Sequence, residues 1–136
     1  MTGLLWPARV AALCFAVAGL RHGLDVLRGG WLPYHFAPLP INAFWTSLVL
    51  WDAVAAALLW LWPRLGLPFG VGVMLVDVGV NGWLAGQQGI VGQLGVWTLV
   101  AQAAFLGLLV GLWAASPHAL TTTKSPRAEA GAGSEG

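Results

Sequence analysis

Charge is what this chain has least of. Charged residues make up 8% of its 136 positions and hydrophobic residues 58%. An ordinary soluble domain carries roughly 25% charged and about 45–50% apolar residues. That balance excludes a water-soluble domain and a disordered chain. The net charge of +1 leaves no basic footprint, so no nucleic acid is expected as a partner. One cysteine, Cys14, excludes a disulfide scaffold, a CxxC redox pair and a thiolate metal site. The histidines are His22, His35 and His118, with no HxxxH spacing, so no metal or haem site is expected. Ser47 lacks a histidine at its depth, which argues against a hydrolase. No motif fixes a reaction or calls for a cofactor.

Long apolar runs are what is present. A helix crosses a bilayer with about 20 mostly apolar residues, and four segments qualify, at about 5–28, 41–62, 68–86 and 89–115. Pro40 precedes the second run and Pro63 ends it, while Pro68 suits a first helical position. The fourth run has no charge and stops at Ser116-Pro117. Residues 116–136 read as a disordered cytoplasmic tail of Thr, Ala, Gly, Ser and Glu. The expected fold is therefore an all-α, four-transmembrane-helix bundle with a disordered C-terminal tail, and the lipid bilayer is its first partner. Ala16-Val17-Ala18 resembles a signal cleavage site, but Arg9 leaves too short an apolar run before it, so an uncleaved first helix is expected.

Tryptophan favours the two membrane–water interfaces. These spans place Trp6, Trp60, Trp62 and Trp113 towards one side, and Trp31, Trp45, Trp83 and Trp97 towards the other. Only Trp51 lies near a span centre. Arg9, Arg64, Lys124 and Arg127 share the side of the termini, against Arg21 and Arg28 opposite. The positive-inside bias then places both termini in the cytoplasm of a multi-pass inner-membrane protein. The preference for arginine over lysine, with abundant Ala and Gly, suggests a bacterial source.

The few polar residues inside the spans are the candidate site, because such groups are costly in a bilayer. Asp52, Asp77 and Gln102 lie near mid-span, and Arg21, His22, Asp25, Asn81 and Thr98 lie on the extracytoplasmic side of them. At about 100° per residue, Arg21, Asp25 and Arg28 share one stripe, as do Asp77 with Asn81 and Thr98 with Gln102. Arg21 stands roughly 7 Å from its helix centre and leans towards mid-membrane. It is therefore expected to pair with one or both of Asp52 and Asp77, leaving Asp25 for Arg28 or His22. Gly72, Gly79, Gly82 and Gly86 fall on the opposite face of the third helix, which suits close packing within the monomer or, less readily, a homodimer or partner subunit. The loop at 29–40, with Trp31, Tyr34 and Phe36 among its prolines, reads as a lid in the interface, where His35 would join His22.

These residues define a buried Arg/Asp/Asn polar centre without naming its use. An accessory or structural membrane protein, held by polar contacts between helices, is the broadest reading. A proton-coupled small-solute transporter and a membrane enzyme or binding protein for a lipid or quinone are the alternatives.

Overall fold

The computed structural model describes residues 2–87 and 95–116. Among them lie four α-helices: α1 (Thr2–Gly29), α2 (Leu39–Leu61), α3 (Pro63–Ala85) and α4 (Val96–Ala115). All four are long and apolar enough to cross a membrane. Helices satisfy their own backbone groups, which is why such segments take this form in lipid. The expected tail beyond Ser116 lies outside the described residues.

The helices run alternately up and down. Each packs against its neighbour in sequence, α2 lying between α1 and α3, and α4 resting on α3. α1 and α4 touch each other only sparsely. Among the described residues the bundle is thus a curled row rather than a closed ring: α1 and α4 meet at Phe15 and Phe105 towards the termini and leave a gap at the loop end.

The α2–α3 junction differs from expectation. Pro63 begins α3, five residues before the expected start, and Pro68 lies inside the helix. Only Trp62 separates the two helices, with φ −136° and ψ 75°. Its N–H donates to Leu58 O at 2.7 Å, and its own carbonyl accepts from Gly66 N at 2.9 Å. One residue therefore closes α2 and opens α3. The sharpness of this turn requires Gly66, since a Cβ there would collide with the Leu58 and Leu59 backbone.

The core divides in two. Towards the termini, Ala11, Phe15, Leu59, Leu67, Met74 and Leu109 form a dry apolar cluster. Phe15 meets Phe105 edge-on with ring centroids 5.2 Å apart. Towards the α1–α2 loop, Trp45, Leu48 and Leu84 form a smaller cluster flanked by Tyr34 and Val80. The outer surface is apolar, as a lipid-facing surface should be, and carries Trp6, Trp60, Trp62, Trp97 and Trp113. Arg9 lies over the Trp60 ring, 5.3 Å from its centroid.

The glycines of α3 lie on the face opposite Asp77 and Asn81, as expected, but make no close helix contact within the protomer. A Cβ at Gly72, Gly79 or Gly82 would meet nothing within 4 Å, and one at Gly86 would meet only the carbonyl of Trp83. Close approach within the protomer runs instead through Gly66 and through Gly70, whose Cβ would stand 3.0 Å from the Phe15 ring. The buried side of α3 holds Leu67, Gly70, Met74, Asp77, Asn81 and Leu84. The expected glycine face is its outer face.

Candidate functional site: a polar cavity at the loop end

The loop end of the bundle holds a cavity of about 760 Å³, within the usual range of ligand sites, about 300–1,000 Å³. It is lined by Arg21, His22, Asp25 and Arg28 from α1, by Asp77 and Asn81 from α3, and by Thr98 and Gln102 from α4. Trp45 of α2 and Tyr34 of the loop complete the wall. The sparse contact between α1 and α4 leaves the cavity flanked by the gap between those helices.

Two polar clusters build this wall. The first is a ring of Asp77, Asn81 and Gln102 across α3 and α4, which Trp45 of α2 joins by one bond. The Trp45 indole N–H donates to Asn81 Oδ1 at 2.8 Å. Asn81 Nδ2 donates both to Asp77 Oδ1 and to Gln102 Oε1, each at 3.0 Å. Gln102 Nε2 returns a hydrogen bond to Asp77 Oδ2 at 2.9 Å. The i, i+4 spacing of Asp77 and Asn81 makes the first contact, and the placement of α4 on α3 makes the others. Each Asp77 oxygen thus accepts an amide N–H, and both Asn81 donors are spent. A closed ring of this kind fixes the relative rotation of the helices that share it.

The second cluster lies at the end of α1. Arg21 Nε stands 3.4 Å from Asp25 Oδ1. The Tyr34 hydroxyl donates to Asp25 Oδ2 at 3.2 Å and lies 2.8 Å from His22 Nδ1. Burial, followed by the charge of Asp25 and the hydrogen bond to it, raises the Tyr34 hydroxyl well above the usual tyrosine value. The phenol therefore stays protonated and remains a donor. Asn42, buried in the first turn of α2, holds the loop itself. Its Nδ2 donates to Leu32 O at 3.0 Å, and its Oδ1 accepts from Tyr34 N at 3.1 Å. This supports the left-handed backbone of Leu32, at φ 69°, a conformation that a branched side chain disfavours. Tyr34 also packs edge-on against Trp45, with ring centroids 5.3 Å apart.

Several expected contacts are replaced by others. Arg21 pairs with Asp25, one turn along its own helix, and not with Asp52 or Asp77; its side chain is 75% exposed. Asp25 lies within reach one turn along the same helix, while the Asp77 carboxyl is bonded by amides from α3 and α4. Asp25 is held by Arg21 and Tyr34 rather than by Arg28, and it reaches His22 only through the phenol. Asp52 is buried in α2 but is not part of the cavity wall. Its Cβ lies against Gly19 of α1, at 3.1 Å from where a Cβ of Gly19 would stand. His35 is exposed and takes no part in the cluster. Tyr34 stands where His35 was expected.

Trp45, Tyr34 and Asn42 are the site residues that spacing alone did not single out. Trp45 reads as an interface anchor in sequence, yet it is 4% exposed and hydrogen-bonded inside. The available signal was that Trp45 shares the helical face of Asp52. Neither a protein-family model, nor a curated protein, nor a solved structure matches this chain.

Proposed function

We propose that this small multi-pass membrane protein binds the polar head of an amphiphile dissolved in the bilayer, a lipid or a quinone. One observation carries the reading: a cavity of about 760 Å³ with charged and amide walls sits at one end of an otherwise apolar bundle. The gap between α1 and α4 offers a way for the head to enter sideways, with its tail left in lipid. Transport is the weaker reading. Among the described residues, Phe15, Leu59, Leu67, Met74 and Leu109 pack the other half of the bundle as an apolar cluster. The positive-inside bias favours both termini in the cytoplasm, so that the cavity faces the outer side.

A photo-reactive residue in place of Thr98 tests the binding reading in native membranes. The expected result is capture of one class of amphiphile. Capture of lipids in the proportions of the surrounding bilayer would overturn it.

A structural role is the second reading, favoured by the closed ring that ties α4 to α3, with α2 joined to it through Trp45. α4 fully buries only Leu109, with Phe105, Leu106 and Leu112 half-buried against the core, so the ring adds to a modest apolar contact. On this reading Asp77→Asn keeps hydrogen bonding and folds better than Asp77→Leu. Equal expression and equal thermal stability of the two would count against it.

A further inference from the structure

The Tyr34 hydroxyl has a single hydrogen and two polar neighbours. The Asp25 carboxylate accepts, so the phenol's hydrogen goes to Asp25, as the geometry has it. His22 Nδ1 must then be the donor in the 2.8 Å contact with Tyr34. In a neutral imidazole with its hydrogen on Nδ1, the other ring nitrogen carries a lone pair. His22 lines the cavity, and Nε2 is its only ring nitrogen left for a ligand. The relay Asp25–Tyr34–His22 therefore sets the cavity to receive a hydrogen-bond donor at Nε2.

The cations of the wall ask for a different feature. Arg21 is engaged by Asp25. Arg28 lies two turns along the same helix, lines the same cavity, and has no ion pair among the described residues. Thr98 and the second Nε2 hydrogen of Gln102 add neutral hydrogen-bonding capacity on the facing helix. A head that satisfies this wall carries an anionic group for Arg28 and a hydroxyl for His22. An oxidised quinone offers only acceptors and leaves His22 Nε2 unmet. A choline head offers no donor and likewise leaves His22 Nε2 unmet.

We infer that the ligand is an amphiphile whose head joins a phosphate diester to a free hydroxyl, with Arg28 on the phosphate and His22 Nε2 accepting from the hydroxyl. This rests on the proposal that the cavity binds an amphiphile head.

The test uses the full chain, labelled with ¹⁵N-histidine, in nanodiscs of phosphatidylcholine with and without phosphatidylglycerol. In phosphatidylcholine alone, His22 should show a protonated Nδ1 and a pyridine-like Nε2. Phosphatidylglycerol should shift the Nε2 resonance, and native mass spectra should show it retained at least tenfold over phosphatidylcholine. Arg28→Gln should lose that preference while leaving the His22 tautomer unchanged. Tyr34→Phe should release the tautomer, a signature that a merely structural tyrosine would not give. A shift produced by soluble glycerophosphoglycerol would assign the same head chemistry to a water-borne source. An Nε2-protonated His22 in the wild type overturns the inference. So does retention of lipid without preference for the hydroxyl-bearing head, and that result leaves amphiphile binding itself standing. If no amphiphile is retained from any disc, the underlying proposal fails too.

Discussion

Replacing Asn81 by leucine should be among the most damaging single changes in the bundle that keep side-chain size roughly constant. The substitution removes three hydrogen bonds at once, to Trp45, Asp77 and Gln102. Polar contacts between membrane helices contribute about 0.6 kcal/mol each on average, so three give about 2 kcal/mol. The larger consequence is the Trp45 indole N–H, which stays buried without an acceptor, at a further cost of about 1–3 kcal/mol. Asp77 keeps only its bond from Gln102. A loss of about 3–5 kcal/mol is therefore expected in reversible SDS unfolding from bicelles, followed by far-UV circular dichroism. The orphaned groups supply an internal control. Converting Asp77, Asn81 and Gln102 to leucine together with Trp45→Phe removes the orphans as well as the bonds, so much of the loss should be recovered. A loss below about 1 kcal/mol for Asn81→Leu alone would refute the reasoning, since contacts within the measured range could not then be buried and closed as described.

Two further outcomes follow from geometry. Gly66→Ala should destabilise by at least about 1–3 kcal/mol, because its Cβ meets the Leu58 and Leu59 backbone. Gly79→Ala should leave the protomer unchanged or raise its stability by up to about 1 kcal/mol, because its Cβ meets nothing within 4 Å. Parallel unfolding curves check both, and the reverse order would contradict the packing of α3. Tyr34 is the only tyrosine of the chain, so phenolate absorbance reports it alone. Its ionisation in the folded protein should begin well above the usual value of about 10. The raised value means that this contribution to stability is full below the unfolded tyrosine's ionisation range. It is lost as pH rises through that range towards the folded value. Tyr34→Phe should abolish this alkaline loss; a phenol titrating at its ordinary pH would show that the latch to Asp25 is absent.

The helices were legible in the sequence because the bilayer demands long apolar runs, and little else could produce them. Asp77, Asn81 and Gln102 were legible as facing stripes because helical spacing alone settles which residues share a face. Their partners were harder to read. Trp45 fits an interface anchor as well as a buried donor, and only the position of Asn81 on a neighbouring helix decides between them. The pairing of Arg21 turned on reach: depth suggested Asp52 or Asp77, but Asp25 stands one turn away on the same helix. Tyr34 depended on a loop whose path is set by Asn42 and by a left-handed Leu32, neither of which has a periodic signature. Pro63 and Pro68 misled at the α2–α3 turn because a proline suits the first turn of a helix as well as its end.

The central claim, that the cavity holds the head of a bilayer amphiphile, is tested most directly by native mass spectrometry of protein released from nanodiscs formed without detergent. The comparison is with Ala18→Phe, which places a ring in the cavity wall. The account predicts one tightly retained amphiphile on the wild type and a bare chain for the variant of equal thermal stability. A wild type that emerges bare, or a variant that retains the same mass, would contradict it.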